Sequence, residues 1–223
     1  MALGNSTRYI SATHLVASVF GVLSGLGGLR HGIGEVLQGD VRPEGIFTES
    51  WTTGPLSTNM GGEPAVTIIP NMLITGTLTI AISLAVIVWS FAFIQREHGG
   101  LVYFLLTVGM LLGGGGVGPP VVGMLAGIAG AEIHNPHSWW DEHVTFGTQR
   151  KLSNAWPLAF GVALLNGVLL FVGSLVLVYG FDFNHPDLFL YSFYLAIVLV
   201  PLATITAIAH DLQLGGRRAE SMP

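Results

Sequence analysis

His31 and Glu35 are the two residues whose types and spacing point most directly to chemistry. On a helix, residues four apart lie on the same face. A neutral imidazole beside a carboxylate can bind a divalent metal ion or relay a proton. In the simpler interpretation, Glu35 only satisfies His31 or Arg30 at a helix end, and nearby glycines weaken the helix that the spacing requires. We therefore treat His31 and Glu35 as candidate catalytic residues.

A second set of possible metal ligands lies in a later polar stretch. It consists of His134, His137, Asp141 and His143. A zinc site would need three or four such side chains to converge at about 2.0–2.2 Å. Their spacing matches no established signature, and Pro136 interrupts any helix between the first two histidines. A solvated loop at a membrane interface explains the same residues, so they are weak candidates for a divalent metal site, the one cofactor that the sequence suggests.

The sequence GGGGVGPP offers backbone groups rather than side chains. Broken helices of this composition line substrate and ion sites in transporters and channels. An ionisable residue inside an apolar segment, here His14, is also a functional-site candidate by default. The predicted pore or substrate path therefore consists of His14, Gly113, Gly114, Gly115, Gly116, Pro119 and Pro120. The alternative is that the glycines only allow close helix packing and that His14 only bonds a neighbouring serine.

The composition indicates a membrane protein. The chain has 223 residues, of which 51% are hydrophobic and 9% are charged, whereas about 25% of residues are charged in a typical soluble domain. It has no cysteine, which excludes disulfides and thiolate metal sites. The net charge of -5 is spread over short loops and gives no basic face for nucleic acid.

The apolar residues cluster into about five segments that could cross a bilayer core of roughly 30 Å. They cover residues 9–29, 66–94, 101–130, 156–180 and 188–208. This pattern predicts an all-α integral membrane protein, a polytopic bundle forming a single membrane domain over 1–223. Its predicted partners are the lipid bilayer and either further copies of the chain or other membrane subunits.

The third segment, 101–130, has two interpretations. A straight helix of this length would extend about 45 Å, which exceeds a bilayer core. The segment is therefore either one kinked span or a re-entrant hairpin of two half-helices. The positive-inside rule places six of the eight basic residues in the cytoplasm in both cases. Both topologies put loop 131–155 and the C-terminus on the cytoplasmic side of the cell membrane. Five full spans is the plainer topology, and we prefer it.

These observations favour a small solute or ion permease or a channel-like subunit, because of the broken segment and the small-residue helix faces. The first alternative is a membrane-embedded enzyme that uses His/Glu acid–base or metal chemistry. The second is a structural or accessory membrane subunit. A joint site of His31, Glu35 and loop 131–155 is possible only in the five-span topology.

Overall fold

The computed structural model describes residues 11–134 and 138–220. The nine α-helices of this part are α1 (Ala12–Gln38), α2 (Pro55–Met60), α3 (Met72–Ala92), α4 (Gly99–Leu112), α5 (Gly118–Ala131), α6 (Ser138–His143), α7 (Phe146–Val168), α8 (Ser174–Phe181) and α9 (Pro186–Glu220). A 3₁₀ turn (Glu132–His134) follows α5, and a π turn (Leu169–Gly173) joins α7 to α8. Two short strands, β1 (Phe47–Glu49) and β2 (Pro64–Val66), pair antiparallel.

Four helices of the described chain are long and apolar enough to cross a membrane. They are Ala12–Gln38, Met72–Ala92, Phe146–Phe181 and Pro186–Gly215. The third of these contains α7, the π turn and α8 as one continuous helix. The predicted all-α class is confirmed, and the four helices are compatible with a multi-pass membrane protein.

Helix α1 is the centre of the bundle. In its most apolar window 61% of the residues are buried, against 33–39% in the other three long helices. Glycines on α1 permit this burial, since a side chain at Gly25 would overlap Ile87, and one at Gly32 would lie 2.9 Å from the carbonyl oxygen of Gly76. Close approach through small residues is the usual way for membrane helices to associate. The small-residue face of α1 therefore packs against α3.

The third predicted segment forms two antiparallel helices. Residues at matching heights of α4 and α5 touch: Gly100 meets Ala131, and Thr107 meets Gly123. Each helix has 14 residues, or about 21 Å, too short to cross a 30 Å core. The chain therefore has the hairpin of the two interpretations, and the preferred kinked span is not formed. The physical reason is that Gly113–Gly116 and the following prolines reverse the chain instead of bending one helix.

The bundle has two distinct ends. One end holds the loop 39–71, the hairpin tip Gly113–Val117 and the turn before α9; there Asn59 donates a hydrogen bond to Asp182 (3.1 Å), and Thr67 bridges Gly113. At the opposite end Asp211 of α9 accepts hydrogen bonds from the backbone N–H groups of Ala12 and Thr13 at 2.8 and 2.9 Å. Asp211 therefore satisfies N–H groups that the start of a helix leaves free.

Gly100→Ala will destabilise the hairpin, because its new methyl group would overlap the backbone of Ala131. We expect a loss of about 1–3 kcal/mol, as in other overpacked sites. Gly109→Ala in the same helix is the matched control, since its methyl group would lie 3.9 Å from the nearest atom, the tip of Ile82. Thermal unfolding in detergent measures both. Equal stability of the two variants would contradict the tight α4–α5 contact.

The hairpin also predicts which loops share a side of the membrane. Exposed positions Glu97 and Glu142 lie at one end of the bundle and Glu44 at the other. Because the chain has no native cysteine, Glu44→Cys, Glu97→Cys and Glu142→Cys give unambiguous labelling with a membrane-impermeant maleimide. We expect Glu97→Cys and Glu142→Cys to label from the same side and Glu44→Cys from the other. Labelling of Glu44→Cys and Glu142→Cys from one side would restore the five-span topology.

Candidate functional site

A buried polar cluster lies inside the bundle near the end that carries loop 39–71. Helix α1 contributes Arg30, His31 and Glu35, about two turns or less before the helix ends. The loop contributes Ser50 and Glu63, and all five residues are buried. Ionisable groups in the core of an apolar bundle are costly unless they are paired, so their partners define the site.

Arg30 and Glu63 form an ion pair at the centre of the cluster. Arg30 Nη2 lies 2.7 Å from Glu63 Oε1, and the two side chains are 9% and 5% exposed. Arg30 Nη1 also donates to Ser174 Oγ at 2.7 Å. Burial raises the pKa of the Glu63 carboxyl above its ordinary value of 4.5, and the Arg30 guanidinium opposes this shift. Glu63 therefore retains a proton at higher pH than an exposed glutamate does.

A strained turn directs Glu63 into the bundle. Gly61, Gly62 and Glu63 all have positive φ angles, of 63°, 73° and 54°. For a residue other than glycine this conformation costs on the order of 1 kcal/mol or more, and such strain is typical of functional sites. The backbone N–H of Ser50 donates to the Glu63 carbonyl (3.1 Å) and fixes the turn. Glu63 was not predicted as a site residue, although the Gly-Gly pair before it was a usable signal in the sequence.

His31, Ser50 and Glu35 continue the cluster away from the ion pair. His31 Nδ1 lies 2.8 Å from Ser50 Oγ, and Ser50 Oγ lies 3.4 Å from Glu35 Oε1. On the other side of the ring, His31 Nε2 lies 3.8 Å from Glu63 Oε2. The two candidate catalytic residues therefore share one helix face, as their spacing predicts. The loop residue Ser50 bridges them.

The hairpin tip covers His31 and Glu35. A Cβ atom at Gly114 would lie 2.5 Å from both carboxylate oxygens of Glu35, and one at Gly116 would collide with the His31 ring. Both glycines have positive φ angles, of 108° and 77°, which disfavour a side chain in any case. Thr79 Oγ1 donates to the Gly113 carbonyl at 2.7 Å and holds the tip.

The structure thus brings together two sets of residues that were predicted separately, the His31–Glu35 pair and the glycine break. Gly114 packs against Glu35 and Gly116 against His31, whereas Gly113 and Gly115 face Thr79 and Met110. Pro119 and Pro120 follow in the first turn of α5. His14 does not join them. It lies near the other end of α1, about 26 Å away along the helix axis, where its Nε2 is 3.5 Å from Ser18 Oγ.

The weak metal candidates that the structure describes lie at the opposite end of the bundle. His134 ends the 3₁₀ turn after α5, and α6 carries Asp141 and His143; His137 and the side chains of His134 and Asp141 lie outside the described residues. Within the described residues no group of three or more His, Asp or Glu side chains could hold a metal ion. The length of α5 separates this region from His31 and Glu35.

An open cavity of about 410 Å³ lies against the cluster. Its polar residues include Arg30, His31 and Glu63, and apolar walls come from three elements: Val117 and Pro119 of the hairpin, Leu170 and Phe171 of the π turn, and Leu190 and Phe193 of α9. A π turn widens a helix locally and is frequent at functional sites. Here it places Phe171 in the cavity wall and Ser174 within reach of Arg30.

No family model, no curated protein and no solved structure matches this chain. Its class is therefore defined by the fold and the site. It is an all-helical protein with four apolar helices compatible with a multi-pass membrane protein, and an open cavity adjoins its buried ionisable cluster.

Arg30→Gln will leave the Glu63 carboxylate buried without its cation. Breaking a buried pair in this way costs about 3–5 kcal/mol, which we expect in the unfolding free energy of the detergent-solubilised protein at neutral pH. The double variant Arg30→Gln/Glu63→Gln removes both charges and will lose less. Arg96→Gln, at an exposed position, is the control and will be close to neutral. If the double variant is no more stable than Arg30→Gln, the loss of unfolding free energy does not come from breaking the Arg30–Glu63 ion pair.

Proposed function

We propose that this protein is a small permease of the cell membrane whose solute is an amphiphilic compound. The solute would place its polar head at Arg30, His31 and Glu63 and its apolar body against the cavity walls. The single observation that carries the proposal is the cavity itself, which joins buried ionisable side chains to apolar walls.

The size and lining of the cavity support a ligand of this kind. Small-molecule sites have volumes of about 300–1,000 Å³ and combine apolar walls with a few polar groups. The cavity of about 410 Å³ falls in this range. Leu190 of α9 lines the cavity and is 45% exposed. A molecule dissolved in the bilayer could therefore enter from the side.

The broken third segment supports a transporter over a purely structural role. Irregular backbone at membrane depth is tolerated where protein covers it or where it lines a cavity, and transporter sites are commonly built from discontinuous helices. The hairpin tip meets this description, since it packs on His31 and Glu35 and its last residue, Val117, lines the cavity.

The positive-inside rule gives the proposed orientation. With α4 and α5 re-entrant, the N-terminus, loop 131–155 and the C-terminus face the cytoplasm, which then holds six of the eight basic residues. The cavity and loop 39–71 face the opposite side. The permease would therefore receive its solute from the non-cytoplasmic half of the membrane.

A membrane-embedded enzyme is the second candidate. The observation that favours it is that His31 lines the cavity and is also bonded through Ser50 to Glu35. A histidine oriented by a second group is a common general base. The two candidates differ in whether the bound compound is recovered unchanged.

Photo-crosslinking in proteoliposomes tests the cavity. Probes with a twelve-carbon chain bearing a diazirine, and with an alcohol, carboxylate or ammonium head, should label the apolar cavity walls, with mapping by mass spectrometry. Leu190→Trp fills the entrance and should reduce this labelling about tenfold, the effect of losing ~1.4 kcal/mol of binding free energy. Leu165→Trp, at a lipid-facing position that is 73% exposed, should leave labelling unchanged.

The recovered probe separates the candidates. An unaltered probe that crosses the bilayer faster with the protein than without it supports the permease, and a chemically altered probe supports the enzyme. Labelling spread evenly over the lipid-facing surface, insensitive to Leu190→Trp, would overturn the binding site and leave the accessory-subunit role.

A further inference from the structure

We propose that Glu63, His31, Ser50 and Glu35 form a proton relay that runs from the cavity to the hairpin tip. The four side chains come from loop 39–71 and α1 and follow one another in space. Neighbouring polar atoms are separated by 3.8 Å from Glu63 to His31, 2.8 Å from His31 to Ser50, and 3.4 Å from Ser50 to Glu35. The relay goes beyond the proposed solute site and does not depend on it.

The hydrogen bonds define two proton arrangements. In the first, Ser50 donates to an ionised Glu35, so the single hydrogen of Ser50 is used and His31 must donate from Nδ1 to Ser50 Oγ. His31 Nε2 is then an acceptor facing Glu63. In the second arrangement a protonated Glu35 donates to Ser50, and Ser50 donates to Nδ1. His31 then carries its hydrogen on Nε2.

Three proton movements connect these arrangements. The Glu63 carboxyl proton passes to His31 Nε2, the Nδ1 proton passes to Ser50 Oγ, and the Ser50 hydroxyl proton passes to Glu35 Oε1. The net change is that Glu63 becomes a carboxylate and Glu35 becomes a carboxylic acid, while His31 exchanges one neutral tautomer for the other. Glu63 first takes up this proton from the cavity and loses its charge beside Arg30; once the proton has passed to His31, the ion pair of 2.7 Å forms again.

One step of the relay needs a bridging group. The 3.8 Å between His31 Nε2 and Glu63 Oε2 is longer than a hydrogen bond. A hydroxyl group that accepts from Glu63 and donates to Nε2 would complete the step, and both residues line the open cavity. This hydroxyl group comes from a water molecule or from the alcohol head of a bound amphiphile.

The far end of the relay is closed to solvent. Glu35 is fully buried under Gly114, and among the described residues no donor reaches its Oε2 atom. Thr79 also faces Glu35, but its hydroxyl hydrogen is already donated to the Gly113 carbonyl. Ser50 is the residue that bridges His31 and Glu35, and His31 and Glu63 line the cavity. A proton from the cavity therefore reaches Glu35 through Ser50.

Hydrogen–deuterium exchange of the Glu35 carboxyl tests the relay directly. The purified protein in lipid is moved from H₂O to D₂O, and the C=O stretch of protonated Glu35 is followed by infrared spectroscopy. Glu35→Gln identifies the band by removing it. We expect Ser50→Ala to slow the deuterium shift of this band about tenfold or more. Ser50→Thr retains a hydroxyl group and should restore the rate.

Whether the exchange rate falls or rises distinguishes a relay from simple structural damage. A variant that only loosens packing admits water and accelerates exchange, as we expect for Ser24→Ala, which removes the bond from Ser24 to the Pro119 carbonyl (2.7 Å). Exchange in Ser50→Ala that is as fast as wild type or faster would overturn the relay. So would the absence of a Glu35 carboxylic acid band at every pH.

A last comparison separates the two sources of the hydroxyl group. Added dodecanol will accelerate exchange if an alcohol head completes the relay, and Leu190→Trp will abolish that acceleration. If water completes it, dodecanol has no effect and the Ser50→Ala result is unchanged. The relay can therefore survive failure of the proposed solute site, and failure of the relay leaves the crosslinking result intact.

Discussion

The burial of Arg30 in the central helix is the constraint on which the rest of this end of the molecule depends. A guanidinium in an apolar bundle is tolerated only with a counter-ion and further acceptors. Three separate departures from regular structure meet this need. The left-handed turn Gly61–Glu63 supplies the carboxylate, the π turn precedes Ser174, and loop 39–71 folds back over the end of the bundle. Each has an energetic cost that the ion pair and its bonds offset.

The sequence was most informative where physical constraints are local. Hydrophobic length predicted the helical class, and the spacing of His31 and Glu35 placed them correctly on one face of α1. The glycine break predicted either a kinked span or a hairpin, but the sequence could not decide between these two geometries. It depends on whether α4 and α5 pack on each other, and Gly100 against Ala131 is a contact across the hairpin that no local pattern reveals.

The partners of the site were harder to predict because they are distant in the chain. Glu63 lies 33 residues from Arg30 and Ser174 lies 144 residues from it. Glu63 looked like one of several loop acids until its backbone was known. His14 shows the opposite error. Its position inside an apolar segment led to the prediction that it lines the same substrate path as the glycines. Most of the length of α1 instead separates His14 from the hairpin tip. Position along the helix, rather than residue type, decides whether a residue belongs to the site.

Glu35 connects the proposed proton relay to the hairpin tip, because it ends the relay and packs directly under the tip. An ionised Glu35 is a buried carboxylate; among the described residues no donor reaches its Oε2 atom, and Gly114 packs directly against the carboxylate oxygens. Protonation of Glu35 removes this charge, and Thr79, which faces Glu35, holds the tip through its hydrogen bond to the Gly113 carbonyl. A buried carboxylate without a donor is costly, so the charge of Glu35 and the packing of the tip depend on each other. Because the tip also covers His31 and borders the cavity, a proton that reaches Glu35 from the cavity would bias the element that moves, as alternating access in a permease requires.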